Sequence, residues 1–357
     1  MLTLEGAGAR EDGMEFSLFL SCYCPESKAS TAEVYGEMLE MAEAAERLGY
    51  CGLTVPEHHF INILMNPNPF MLAVKVASVT ERIPITTAVA VLPLNDMRRM
   101  AGEAALADVL TGGRIQIGVG RGAFPYEFER YGVDFAKSRE IFDESLEVLI
   151  ALLSEEEVSW EGDHYSFAPM TIMPRPVQRP HPPIWIAAMA PLALYHCAKR
   201  GWNVQTTPLQ GSLDLARAQV DSFLEGAEAS GREPRPRLSL LRVGFVTRDA
   251  AHTKAMIEQA YGYYRRFDNV FKSPGQVAGG RIVPIEIEAT HEDLAEALFI
   301  GTPEELAEKF SLYAELGVDE INLNMCIGAS HEETLESIER LAHEVMPQIS
   351  GRFRLTA

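Results

Sequence analysis

The chain has 357 residues, and its 31 Lys and Arg against 51 Asp and Glu give a formal net charge of −20. So acidic a surface argues against nucleic acid and anionic membranes as partners. The hydrophobic content of 47% and the charged content of 23% are those of an ordinary globular protein, and no apolar run approaches the ~20 residues that a membrane-spanning helix needs.

The first ten residues lack the basic and apolar regions of a secretion signal. The five cysteines are scattered and odd in number, which suits a reducing compartment better than a disulfide framework. We therefore expect a cytoplasmic protein in which residues 1–13 form a flexible tail and residues 14–350 form a single domain.

One sequence pattern recurs along the chain: a helical segment ends at a glycine, and an apolar strand begins within a few residues. Gly49 precedes the run 51–55 in this way, and Gly317 precedes the run 319–324. Glycine is the usual residue just past the end of a helix, and a repeated pattern of this kind is typical of βα units. Eight strands are predicted, at residues 15–20, 51–55, 85–92, 114–119, 184–188, 202–206, 238–246 and 319–324. The predicted fold is a (β/α)8 TIM barrel of the α/β class.

Two stretches interrupt this alternation. Residues 154–179 are aromatic and proline-rich, and are expected to leave the barrel before the fifth strand. Residues 261–290 carry Gly-Gln, Gly-Gly and Pro breaks between helical segments. Because long irregular insertions late in a barrel often cover an active site, we expect a mobile loop there.

The sites of TIM barrels lie at the carboxyl ends of the strands, and Glu57-His58-His59-Phe60 follows the second strand. A histidine here can act as a general base or donate a hydrogen bond to a cofactor, or it can be structural. A metal site is disfavoured, because adjacent residues on a strand point to opposite faces and no further histidine ends the later strands.

The loop Gly118-Val119-Gly120-Arg121-Gly122-Ala123 follows the fourth strand and matches a dinucleotide-binding pattern in form. We reject that interpretation, because Phe124-Pro125 follow at once, so that no helix is expected to open there. Gly120 is expected instead to let a flat ring approach the backbone, with Arg121 as a nearby positive charge. A tight loop with a surface arginine is the alternative.

Two further stretches are candidates for binding an anion and the rim of a planar ligand. Arg139 opens a helix, where backbone N–H groups favour phosphate, although most such arginines are simply solvated. Ala188, Met189 and Ala190 lie at the end of the fifth strand and just after it, and could line a planar ligand. By themselves, these residue types are equally typical of the hydrophobic core.

Taken together, these stretches resemble the bacterial luciferase family of flavin-dependent oxidoreductases over nearly the whole barrel. The resemblance is closest from Glu57 to Arg139, where the order and spacing agree. It is carried by the segments 57–60, 87–93, 108–114, 118–122 and 131–139.

The resemblance implies a barrel that binds reduced FMN, or deazaflavin F420 in a sister branch. It implies that His58 is the catalytic histidine, that Glu57 of the same signature contacts the cofactor, and that Ala88 and Val89 form a non-proline cis peptide behind the ring. Gly120 would lie near the isoalloxazine, and Arg121 and Arg139 would contact the phosphate. Residues 261–290 would be the family's mobile loop. Where relatives place polar residues that help to bind the phosphate, this chain has Met189, Ala190 and Ala193.

Three functions remain open at this point. The first is a two-component monooxygenase, in which a separate flavin reductase supplies reduced FMN, and a C4a-(hydro)peroxyflavin formed with O2 oxygenates a small organic substrate. The second is an F420-dependent oxidoreductase that transfers hydride, and the third is a non-catalytic flavin-binding protein. A homodimer through the second and third helices is expected from the resemblance. Candidate pocket residues are Cys22, Tyr23, Cys24, Phe124, Trp202 and Cys326.

Overall fold

The computed structural model describes residues 13–24, 30–272 and 275–350 of the chain. The predicted flexible tail, apart from Gly13, lies outside the described residues. Within them, the strands are β1 (Glu15–Phe19), β2 (Gly52–Val55), β3 (Ile85–Thr87), β4 (Ala90–Val91), β5 (Ile115–Gly120), β6 (Val158–Glu161), β7 (Ser166–Met170), β8 (Ile184–Ala187), β9 (Asn203–Thr206), β10 (Leu238–Val246), β11 (Val277–Ala278), β12 (Arg281–Ile282), β13 (Phe299–Gly301) and β14 (Glu320–Asn324).

The α-helices of the described residues alternate with these strands. They are α1 (Thr31–Leu48), α2 (Pro69–Ala77), α3 (Met97–Leu110), α4 (Pro125–Tyr131), α5 (Ser138–Ser154), α6 (Pro191–Lys199), α7 (Leu213–Ser230), α8 (Ala250–Lys272), α9 (His291–Ala297), α10 (Pro303–Leu316), α11 (His331–Arg340) and α12 (Met346–Ser350). A π-helical turn, Leu341–Val345, joins the last two. None of the helices described is long and apolar enough to cross a membrane.

Eight parallel strands close into a barrel. Strand β1 pairs with β14 on one side and with β2 on the other, and the ring continues through β3, β5, β8 and β9. It closes where Leu238 of β10 lies opposite Val204 of β9, and β10 then pairs with β14. The predicted (β/α)8 barrel is confirmed, and all eight predicted strands are present within one or two residues at each end, apart from the third.

The predicted third strand, 85–92, is wrong in one respect. The peptide bond between Ala88 and Val89 is cis, and it separates β3 from the short β4. A turn of 3-10 helix follows at Leu92–Leu94. The strand is therefore interrupted at the position where the resemblance implied a cis peptide, at the carboxyl mouth of the barrel.

The glycines of the helix–glycine–strand pattern end their helices as expected. Gly49 ends α1 with φ +84° and Gly317 ends α10 with φ +96°, both in the left-handed region that favours glycine. Ser30 caps the start of α1, and its hydroxyl accepts a hydrogen bond from the Glu33 backbone N–H. Thr302 and Glu305 form a capping box at the start of α10, in which each side chain accepts from the backbone N–H of the other residue.

Both predicted interruptions are present, but the second begins later than expected. Residues 158–170 form the antiparallel hairpin β6–β7 outside the barrel. The range 261–290 is wrong at its start, because α8 continues to Lys272. Buried side chains recur three or four apart through this helix, including Met256, Ala260 and Tyr263, and this apolar stripe keeps the segment helical. From residue 275, the small hairpin β11–β12 and irregular backbone lead to α9.

The floor of the barrel is polar rather than apolar. The hydroxyls of Ser17 and Ser239 donate to Glu320 Oε1 at 2.6 and 2.9 Å, and burial raises the pKa of Glu320. Thr54 and Asn322 hydrogen bond above them. These hydrogen bonds join β1, β10 and β14 to one another and β14 to β2, and so hold the four strands in register below the mouth.

Candidate active site

His58 lies at the carboxyl mouth of the barrel, just past β2. Its Nδ1 is 3.0 Å from Glu127 Oε1, and its ring stacks on Phe124 with centroids 4.2 Å apart. The backbone N–H of His58 donates to the Asn66 carbonyl. Nε2 makes no hydrogen bond to any residue that the structure describes, and the side chain is 17% exposed. The ring is therefore fixed at one nitrogen and leaves the other for a ligand.

Glu127, which sequence reasoning missed, is the partner of His58. It is completely buried, and Oε1 also accepts the backbone N–H of His59 at 2.7 Å. The other oxygen, Oε2, is buried without a partner among the described residues. A buried carboxylate that bonds one nitrogen of an imidazole fixes the orientation and the tautomer of the ring.

Glu127 was missed because helix α4 was missed. The expectation that no helix opens at Phe124-Pro125 is wrong: α4 begins at Pro125. Proline is well suited to the first helical position, since its absent N–H has no partner there and its φ is already helical. The proline that argued against a helix was thus the signal that could have placed Glu127 on its first turn.

His59 and Glu57 support the site from behind. His59 is bound at both nitrogens, by Glu57 Oε1 at 3.0 Å and by the Tyr131 hydroxyl at 3.0 Å. Glu57 also accepts from the Val91 backbone N–H at 2.8 Å and from the Asn95 amide at 2.9 Å. The two histidines diverge as expected, and the structural alternative fits His59. Both oxygens of Glu57 bind protein groups, and its contact with a cofactor stays a prediction.

Small residues and the cis peptide form the wall where a flavin ring is predicted. A Cβ on Gly120 would lie 2.5 Å from Val89 Cγ2, so the Val89 side chain fills the room that this glycine leaves. A Cβ on Gly118 would overlap the Thr87 carbonyl oxygen. A planar ring at this wall would meet Ala88 and Val89, with Gly120 behind them. Because Val89 occupies the room beside Gly120, the predicted contact between Gly120 and a flat ring stays a prediction.

The two predicted phosphate arginines, Arg121 and Arg139, are both exposed. The Arg121 guanidinium lies over the ring of Phe135, 5.7 Å from the ring centroid. Phe135 precedes Arg139 by four residues in the sequence. Arg139 is exposed and pairs with Asp143 at 3.0 Å. Burial raises the pKa of the Cys197 thiol on α6, and the nearby charge of Arg139 opposes that rise.

The rim after β8 contributes backbone rather than side-chain groups. Helix α6 begins at Ala190 with no side-chain cap, Ala188 is buried, and Met189 is partly exposed. The Gln219 amide donates to the Met189 carbonyl at 2.8 Å and fixes the loop. An uncapped helix start favours an anionic group. The role of each of these residues stays a prediction.

Helix α8 crosses the mouth of the barrel. Tyr263 accepts from the Asn324 amide at 3.3 Å and packs edge-on against Tyr23. Further along the helix, Phe267 packs edge-on against Phe124 at 5.6 Å. The helix thus contacts residues at the carboxyl ends of three different strands, and it covers the mouth with aromatic rings.

The other predicted pocket residues divide into two groups. Cys22, Tyr23 and Cys326 line a cavity of about 40 Å³ between the mouth and α1, and Cys24 is buried beside them in the chain. Trp202 precedes β9 and so lies at the amino end of the barrel, away from the mouth, which contradicts its expected place in the pocket. No cluster of three His, Cys, Asp or Glu side chains placed to hold a metal occurs in the described part of the chain.

Comparisons with known proteins agree with this geometry. The family described as luciferase-like monooxygenase matches residues 14–320. The chain is 30% identical over 346 residues to a protein named flavin-dependent trigonelline monooxygenase, oxygenase component, of Acinetobacter baylyi, and the match covers 94% of this chain and 96% of that one.

Solved structures share the fold at lower identity. The monooxygenase RslO1 from Streptomyces bottropensis superposes with a TM-score of 0.82 at 24% identity, over 94% of this chain and 99% of that one. An F420-dependent secondary alcohol dehydrogenase superposes with a TM-score of 0.74 at 17% identity, also over 94% and 99%.

Proposed function

The chain belongs to the luciferase-like monooxygenase family, and from that membership we propose that it is the oxygenase component of a two-component, flavin-dependent monooxygenase. A separate reductase supplies reduced FMN, and the substrate is a small organic molecule. The name of the Acinetobacter relative, an oxygenase component, supports the division of labour. The observation that carries the proposal is the His58–Glu127 pair beside the flat wall at Ala88 and Val89.

Reduced FMN, when bound, supplies the electrons that activate O2. The protein holds it and manages the proton. Arg121, Arg139 and the start of α6 would bind its phosphate, and the wall at Ala88–Val89 would support its ring. His58, oriented by Glu127, gives or takes a proton at Nε2. The aromatic rings that α8 lays over the mouth exclude water from the reaction.

The cofactor is tested by anaerobic titration of the purified chain with reduced FMN and, separately, with reduced F420. We expect reduced FMN to bind more tightly than oxidised FMN, and bound reduced FMN to react with O2 at a rate different from that of the free cofactor. Tight binding of reduced F420 without reaction with O2 would establish the deazaflavin alternative. Tight binding of oxidised flavin with an unaltered O2 reaction would establish the non-catalytic alternative.

The reductase partner is tested by NADH consumption. We expect no consumption of NADH by the chain with FMN alone, and reaction of the bound cofactor with O2 once an unrelated NADH:FMN reductase is added. NADH oxidation by the purified chain without a reductase would contradict the two-component proposal.

We also propose a homodimer that forms through α2 and α3. These helices pack together and expose Met71, Leu106, Val109 and Leu110 on their outer face. Exposed apolar side chains grouped on adjacent helices are typical of a protein interface.

A further inference from the structure

Two buried acceptor oxygens lie without donors at the mouth of the barrel. Asp268 is 2% exposed, and its Oδ2 accepts from the Gln210 amide at 2.9 Å and from Lys272 Nζ at 2.7 Å. Asp268 Oδ1 and Gln210 Oε1 are both buried and receive no hydrogen bond from the residues described. Because buried polar groups nearly always have partners, adjacent orphan acceptors indicate a ligand that supplies donors.

The loop that carries Gln210 is held firmly, so its orphan oxygen is not a consequence of loose packing. Gln210 follows β9, at the carboxyl end where barrel sites lie. The buried Arg242 side chain donates through Nη2 to the Gly211 carbonyl at 2.8 Å. The Leu209 N–H donates to Thr207 Oγ1 at 2.9 Å. The acceptor position is therefore built into the mouth.

An aromatic wall connects these acceptors with His58. Phe124 stacks on His58, Phe267 packs edge-on against Phe124, and Phe271 stacks on Phe267 with centroids 5.4 Å apart. Asp268 is the next residue after Phe267 on α8. A planar ring held against this wall would lie next to the His58 imidazole, and a substituent on that ring could reach Asp268.

From this arrangement we propose that the substrate is an aromatic ring bearing a protonated nitrogen, and that the nitrogen binds Asp268 and Gln210. The proposal rests on the proposed function, since it assigns the substrate of the same site. A cation that donates hydrogen bonds satisfies both orphan oxygens and the carboxylate charge, and the phenylalanines hold the ring by stacking and edge contacts. The Lys272 ammonium competes for the same carboxylate.

The test measures the binding of benzamidine, an aromatic amidinium, and of benzoate, its anionic counterpart, by calorimetric titration of the full chain. We expect benzamidine to bind about tenfold more tightly than benzoate. Asp268→Asn should weaken benzamidine binding about tenfold, and Lys272→Met should strengthen it by roughly threefold, because the competing cation is gone. Phe267→Leu should weaken it. Glu258→Gln, which removes an exposed carboxylate from the same helix, should leave it unchanged.

The opposite signs expected for the Asp268 and Lys272 variants distinguish a binding site from a structural ion pair. Benzoate binding at least as tightly as benzamidine would overturn the proposal, as would shifts of the same sign in the two variants. Reduced FMN is titrated in parallel. If Asp268→Asn weakens reduced FMN as much as benzamidine, the acceptors serve the cofactor and the substrate assignment is wrong. If the unaltered chain fails to bind reduced FMN, the proposed function fails, whereas the benzamidine pattern tests the subsite separately.

Discussion

His58 and His59 are adjacent in sequence, but only His58 has a ring nitrogen without a bond to the described protein groups. We expect His58→Ala to lower turnover about 100-fold, the range for loss of a general acid or base, with little change in the dissociation constant of reduced FMN. The measurements are product formation and anaerobic titration. Equal losses in both, or a loss in neither, would show that the assigned role is wrong.

Glu127 acts through His58, and that makes a specific prediction for Glu127→Gln. The amide keeps the shape of the side chain but removes the carboxylate that bonds His58 Nδ1 and orients the ring. Turnover should fall about tenfold to a hundredfold. In a His58→Ala background the same change should add almost nothing, because the effects of coupled residues are not additive. Glu129→Gln, at an exposed position on the same helix, is the matched control and should be neutral. Additive losses in the double variant would contradict the coupling.

The role of a single site residue could be predicted from the sequence where the residue belongs to a short motif. The divergence of the two histidines follows from strand geometry, and the cis peptide at Ala88–Val89 follows from the family resemblance. Glu127 could not be found from its own residue type, because it is one of many glutamates in an acidic chain. Its role comes from the proline-initiated helix that carries it beneath His58.

The connection between helix and strand also depends on a single carboxylate, Glu46 of α1. Its oxygens accept the backbone N–H groups of Glu81, Arg82 and Ile83 at 2.6 to 2.8 Å, just before β3. Burial works to raise the pKa of Glu46, but these three bonds outweigh it and hold that pKa below its ordinary value.

We expect Glu46→Gln to lower the free energy of unfolding by about 1 kcal/mol at neutral pH, a modest figure because water screens a partly exposed group. A lowered pKa means that the stabilisation is present above the pKa of the unfolded chain and is lost as the pH falls through the folded value. The difference between wild type and variant should therefore shrink below about pH 4. Urea unfolding at several pH values measures it. Glu43→Gln, an exposed site on the same helix, should show no such difference, and a constant difference at all pH values would refute the account.

Elements with a repeated local signal were predictable, and those defined by distant contacts were not. The eight barrel strands follow from apolar runs and helix-ending glycines. The end of α8 could not be placed, because Tyr263 and Phe267 are aromatic residues whose helical stripe is buried only when the helix lies across the mouth. The interruption between β3 and β4 depends on tertiary contacts, among them the bond from Val91 to Glu57, and only the family resemblance indicated its position.

For the whole molecule, the net charge of −20 makes the position of each cation important. An anionic cofactor is repelled by the overall field and needs local positive charge, for which Arg121 and Arg139 are the proposed sources. A cationic substrate is attracted by the same field. The two proposals therefore place a bound anion and a bound cation at one mouth, after the neighbouring strands β8 and β9.

The proposed dimer is a property of the whole molecule, and it can be tested without affecting the mouth. A stable interface typically buries about 800 Å² per partner and excludes charge from its centre. Leu106 and Leu110 lie one turn apart on α3, and both are exposed. We expect the double substitution Leu106→Glu and Leu110→Glu to halve the mass measured by sedimentation velocity, because carboxylates buried at the interface would have no partners. Leu312→Glu, at an exposed apolar site on α10, should leave the dimer intact. A wild-type chain that sediments as a monomer, or a double variant that remains a dimer, would exclude this face as the interface.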